Sequence, residues 1–143
     1  MREKYKTFFG CSVVLIMIII LFIGTLILMF KPYEMCGNHL IESKYSPNKK
    51  FKVLVFSRDC GATTGYSTQI SILNSKDNLE ENDTGNIFVA GDNNGKANLI
   101  GEIIYVKTKW LNNENLIIEY DEKAQIFKNE KAENGIKVIY KRN

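Results

Sequence analysis

The chain has a single histidine, His39, and this scarcity excludes more than any motif does. Nucleophilic catalysis by Ser or Thr needs a base beside the hydroxyl, and His39 sits far along the sequence from the hydroxyl-rich stretch around residues 63–71. A zinc hydrolase needs three protein ligands, and a structural zinc needs four. Cys36, His39 and the distant Cys60 fall short of a zinc set. No carboxylate pair stands out from the surface acids for glycoside chemistry. Asp92-Asn93-Asn94-Gly95 lacks the spaced carboxylates and terminal Glu of a calcium loop, and reads as a turn. The sequence therefore implies no metal, no cofactor and no catalytic set, and the chain is not expected to be an enzyme.

A surplus of charge is missing as well. The net charge is +3 over 143 residues, and Arg2, Lys4 and Lys6 against Glu3 supply most of it. The remainder is one positive charge from neutral, which gives no electrostatic case for nucleic acid. Lys, Asn and Ile are abundant, as in AT-rich bacterial genes.

Charge is absent altogether from residues 8–30, which run from Phe8-Phe9-Gly10-Cys11-Ser12 through an almost pure Val/Leu/Ile/Met/Phe stretch to Phe30. As a helix, roughly 23 residues cover about 34 Å, the depth of a bilayer core. No polar stripe marks a face for a soluble core. The run exceeds the apolar segment of a cleaved signal, and Lys31-Pro32-Tyr33-Glu34 offers no small-x-small cleavage site. Neither Cys11 nor Cys36 sits in a lipoprotein setting. The reading is an uncleaved signal anchor, with the lipid bilayer as partner through residues 8–30. Arg2, Lys4 and Lys6 against Lys31 alone put the N-terminus in the cytoplasm and the bulk of the chain outside. The expected organisation is a cytoplasmic segment 1–7, a transmembrane helix 8–30, a stalk 31–45 and an extracytoplasmic β domain 46–143 in the cell membrane.

Cys11 within the span reads as apolar filler. Cys36 and Cys60 remain, an even pair. In an oxidising compartment the simplest reading is a disulfide, and two unrelated buried thiols are the alternative. Closing a loop of about 25 residues contributes roughly 3 kcal/mol in the chain-entropy account.

Beyond residue 31 no segment keeps a helical period. Strands are expected at 51–56, 66–73, 86–90, 102–110, 115–120, 124–128 and 136–140, from alternation and β-branched content. Ser46-Pro47-Asn48-Lys49-Lys50 is a turn, and residues 74–85 a polar, acidic surface excursion. In the segment 66–73, Tyr66, Thr68, Ile70 and Ile72 share one face and Ser67, Gln69, Ser71 and Leu73 the other. The hairpin 102–110/115–120 is the clearest, with Trp110 in the core alternation. The fold class is an N-terminal transmembrane α-helix plus a small all-β domain, an antiparallel sheet or sandwich.

The segments Ser46-Pro47-Asn48, Phe51-Lys52, Val55-Phe56, Arg58-Asp59-Cys60-Gly61-Ala62-Thr63-Thr64-Gly65-Tyr66-Ser67-Thr68-Gln69-Ile70-Ser71-Ile72-Leu73, Asn86-Ile87-Phe88 and Trp110-Leu111, with Leu116 and Ile118, resemble an uncharacterised bacterial family. It carries a Cys-Gly-Ala-Thr-Thr block followed by Ser-Thr-Gln. Cys36-Gly37-Asn38 resembles its upstream Cys-x-Asn. The resemblance implies a small membrane-attached protein and brings no activity with it.

One stretch is a candidate binding loop: Arg58, Asp59, Gly61, Thr63, Thr64, Gly65, Tyr66, Ser67 and Gln69. Backbone amides near its glycines with hydroxyls beside them suit an anion or carboxylate. The plainer account is a tight turn in which small hydroxyl residues satisfy their own backbone. The functional expectation is an anchored binding module for an envelope protein or ligand. The alternatives are an envelope enzyme with Ser/Thr chemistry in the 61–67 loop, or a structural or immunity-type protein acting through its span.

Overall fold

The computed structural model describes residues 2–29, 36–61 and 65–143, with side chains in the N-terminal helix from Val14 onward. The chain divides into two compact units, Met1–Glu34 and Met35–Asn143.

The first unit holds α1, Arg2–Met29. Its described side chains are exposed all round, from Val14 and Leu15 to Leu28 and Met29, as expected of an apolar helix with no face to bury. Residues 14–29 cover about 24 Å of helix axis. The expected span of 8–30 starts before them and ends on Phe30, and the lead-in 31–35 follows; the side chains of residues 8–13 and the whole of residues 30–35 lie outside the described residues. Within residues 14–29, the part of α1 whose side chains are described, and in the rest of the described chain, no helix is long and apolar enough to cross a membrane.

The second unit is all β. Strands β1 Gly37–Tyr45, β2 Phe51–Asp59, β3 Ser67–Asn74, β4 Phe88–Gly91 and β9 Gln125–Asn129 form one sheet in the order β1-β2-β3-β4-β9, antiparallel throughout. Strands β10 Ala132–Glu133, β11 Ile136–Arg142, β8 Asn115–Tyr120 and β7 Val106–Trp110 form the second, in that order. A small hairpin, β5 Leu99–Ile100 with β6 Ile103–Ile104, stands apart. Val53, Val55, Ile70, Ile72, Phe88 and Ala90 of the first sheet and Leu116, Ile118, Tyr120, Ile136 and Val138 of the second bury their side chains in one shared core. Period-two alternation puts each of these on its sheet's inner face.

The register places Val106 opposite Tyr120, Thr108 opposite Ile118 and Trp110 opposite Leu116, so the two apolar rows of the β7–β8 hairpin face the same way. Asn134 and Gly135, at φ 51° and 78°, make the left-handed turn between β10 and β11.

Three expectations need correction. The stalk assigned to 31–45 contains β1, an edge strand paired with β2 along its length. The strand expected at 102–110 is broken: Ile103–Ile104 belong to the small hairpin, and β7 starts at Val106. The sheets are not wholly antiparallel, because β11 runs parallel to β8. The chain leaves β8 for the first sheet as β9 and returns through β10, and this crossover supplies the connection a parallel pair requires.

The excursion 74–85 is pinned against the outer face of the first sheet. Arg58 Nη1 donates to Glu81 O (3.1 Å) and Asp83 O (2.8 Å), and Asn38 Nδ2 to Glu80 O (2.7 Å) and Asp83 O (2.8 Å). Leu79 and Glu80 line a hollow there with Leu40, Lys52 and Leu54. Both faces of β2 are thereby covered, and Lys52, Leu54 and Phe56 are buried alongside Val53 and Val55.

Candidate binding cleft

Cys36 and Cys60 form a disulfide across a sequence separation of 24. It fastens the start of β1 to the end of β2, where Gly37 already pairs with Asp59.

Just past this staple, the residues of the expected binding loop go separate ways. Arg58 is engaged with Asn38 and the carbonyls of residues 81 and 83. Asp59 Oδ1 accepts from the Gly61 amide at 2.9 Å, an Asx turn entered at a φ of +98° that only glycine adopts readily. Thr63 and Thr64 lie outside the described residues. Ser67 Oγ donates to Arg58 O (3.4 Å) and accepts from Gln69 Nε2 (2.9 Å), so the hydroxyl has no base on it among the described residues. Gln69 is buried, and its Oε1 accepts from the Gly85 amide at 2.6 Å. Ser71 Oγ accepts from Asn86 N at 3.1 Å. The polar face of β3 therefore serves as a strip of acceptors for residues 85–86. The remaining pair, Gly65 and exposed Tyr66, opens onto a cleft.

The cleft is about 350 Å³ and is lined by Gly65, Tyr66, Thr68, Asp92, Leu99, Gly101, Glu102 and Ile104. Three segments build it. Tyr66 precedes β3 on the face it shares with Thr68, Ile70 and Ile72. Asp92 opens the turn after β4, where its Oδ2 accepts from Gly95 N at 3.1 Å. The β5–β6 hairpin supplies the rest. Gly101, at φ 63°, permits its two-residue turn, which leaves Leu99 and Ile100 exposed and Ile103 and Ile104 buried. Thr68 Oγ1 accepts from Ile104 N at 2.9 Å and locks the hairpin to β3.

Glu102 is the polar centre of the rim. Its Oε2 lies 3.2 Å from His39 Nδ1 and accepts from Ser57 Oγ at 3.3 Å. His39 and Ser57 face each other across β1 and β2. Ser57 is buried and its hydroxyl is directed to the carboxylate, while His39 and Glu102 are largely exposed. The carboxylate stands between hydroxyl and imidazole, which differs from the hydroxyl–imidazole–carboxylate order of a nucleophilic triad.

Chemically, Tyr66, Leu99 and Ile104 offer an apolar wall, and Asp92 and Glu102 offer acceptors with negative charge. That combination suits a ligand with an apolar body and a donor or cationic end. Among the described residues no group of three or more His, Cys, Asp or Glu side chains could hold a metal ion.

Of the lining residues, Thr68, Asp92, Leu99, Gly101, Glu102 and Ile104 stand outside the expected binding loop. For the hairpin the signal is two apolar pairs flanking Gly101-Glu102, which spell a tight turn where alternation alone gives one strand, 102–110.

The family pattern of unknown function (DUF5412) matches residues 4–130, most of the chain. The chain belongs to this family. Membership agrees with the expectation of an uncharacterised family, and it attaches no activity to the cleft. No curated protein and no solved structure matches the chain.

Proposed function

We propose that this member of the family is a single-pass membrane protein whose β unit acts outside the cytoplasm as a binding module. The observation that carries the binding assignment is the cleft of about 350 Å³, with Tyr66, Leu99 and Ile104 as walls and Asp92 and Glu102 as acceptors. Its volume is at the lower end of small-ligand sites, which suits a side chain or chain terminus of a partner, or a small amine. The anchoring assignment draws support from the all-round exposure of apolar side chains along residues 14–29 and from the uncharged run 8–30. The extracytoplasmic side draws support from the basic N-terminal flank and from the Cys36–Cys60 disulfide, which persists in an oxidising space.

The test is a titration of the full chain in detergent micelles with a panel of hydrophobic amines and amino-terminal dipeptides, followed by amide NMR. The expected result is shifts clustered at Tyr66, Gly101 and Ile104, lost in a Tyr66→Ala/Leu99→Ala double variant. Shifts that survive that variant, or a panel that moves none of these amides, would refute the assignment.

A further inference from the structure

The outward face of the second sheet carries a feature that the cleft does not use. Alternation turns Lys107 and Lys109 of β7, Ile117 and Glu119 of β8, and Lys137 and Lys141 of β11 away from the core. The register sets Lys107, Glu119 and Lys141 in one row across three strands, with Lys109 beside Ile117 in the next. Lys107, Lys109, Ile117, Glu119 and Lys141 enclose a hollow of about 250 Å³.

The three ammonium groups make no hydrogen bond or ion pair among the described residues, whereas Glu119 accepts from Tyr105 Oη at 3.0 Å. The hollow is left with two net positive charges, although residues 35–143 together carry one. Lysines on an edge strand commonly guard it against pairing, and this accounts for Lys107 and Lys109 on β7. At Lys141 strand β11 is also open on its other side, because β10 pairs only with Ile136 and Lys137, but edge guarding does not require lysines of two strands to enclose one hollow. Neighbouring strands are about 4.8 Å apart, so side chains on β7 and β11 can close on one small anion over β8.

We infer that this hollow is a phosphate site, and that its ligand is a phosphate monoester. A monoester brings about −1.5 to −2 charges at neutral pH, which balances the hollow, and lysine meets phosphate as a mobile point charge. The half-buried Ile117 floor leaves space for the carbon attached to the ester oxygen. Lipid headgroups and soluble phosphates share this chemistry.

The test is amide NMR on the full chain in zwitterionic micelles at low salt. The probes are inorganic phosphate and short-chain phosphatidate, with phosphatidylcholine, a net-neutral phosphodiester, as the control. Both phosphate probes should shift β7 and β11 amides. Lys107→Gln or Lys141→Gln should each weaken binding about two- to fivefold, and the pair more than tenfold. Glu119→Gln should tighten binding, an effect a structural role for Glu119 would not produce. Phosphatidate binding at tenfold lower concentration than phosphate identifies a headgroup source, and equal binding a soluble one; both support the site. No shift from either probe, or shifts indifferent to Lys107→Gln and Lys141→Gln in variants of unchanged melting temperature, would overturn it.

Discussion

Arg58 and Asn38 stand opposite each other across β2 and β1, and Arg58 Nη1 donates to Asn38 Oδ1 at 3.0 Å. Both side chains then reach the carbonyl of Asp83. The pair holds the acidic excursion on the sheet, which explains why an arginine stands near the end of β2, ahead of the hydroxyl-rich block. Arg58→Ala removes three hydrogen bonds to a charged donor and should cost about 2 kcal/mol. Hydrogen exchange at residues 80–83 should accelerate while exchange in β7 and β8 stays unchanged. Equal acceleration everywhere would mean that Arg58 supports the whole fold and has no local role in the clamp.

Gly85 is where that clamp meets the sheet. A Cβ there would lie 2.5 Å from Phe88 O and 3.1 Å from Gln69 Cβ, so backbone must move to admit it. Gly85→Ala should destabilise by about 1–3 kcal/mol through overpacking. A melting temperature equal to wild type would show that the approach is looser than described.

The Cys36–Cys60 disulfide should contribute roughly 3 kcal/mol by restricting the unfolded chain. Denaturant midpoints with and without reductant measure it, with Cys60→Ser as the control that should no longer respond. An unchanged midpoint on reduction would contradict the assignment.

Asp121 is buried, and its carboxylate ties the segment at Asn98 to its own turn. Its Oδ2 accepts from Asn98 N and Nδ2 (3.0 and 2.7 Å), and its Oδ1 from Lys123 N (2.8 Å). The backbone amides of Asn98 and then Lys123 hold its carboxyl below the ordinary aspartate range, against the opposing effect of burial. A depressed folded-state value means that the unfolded chain takes up the proton first. The stabilisation is therefore complete above the unfolded value of about 3.9 and drains away as pH falls through the folded one. Urea midpoints between neutral pH and strong acid should show this loss, and Asp121→Asn should flatten it. An identical acid profile in that variant would assign the loss to other carboxylates.

The sheet that could be read from the sequence is the part where alternation is clean. Val53 and Val55, Ile70 and Ile72, and Leu116 and Ile118 announce their faces, and all six are in the core. Strand β1 could not be read, because a bulge between Leu40 and Glu42 puts two apolar residues, Leu40 and Ile41, in succession and breaks the period. Its residues are also mostly exposed, so burial left little trace in their chemistry. Strands β5 and β6 have two residues each, too few for any period to register. The parallel pairing of β11 with β8 depends on a crossover that no local pattern records. The cleft was illegible for a related reason: residues 65–68, 92 and 99–104 are joined only by folding. The hydroxyl block was legible as unusual, and its described members Ser67, Thr68 and Gln69 prove to be acceptors and donors for the protein's own backbone and side chains.

The central claim is that the apolar N-terminal helix carries the disulfide-closed β unit across a membrane. A reporter enzyme that matures only outside the cytoplasm, fused to the full chain after Asn143, tests it most directly. High activity of that fusion is the predicted result. A silent fusion, with full activity from a matched reporter that works only in the cytoplasm, would contradict the account.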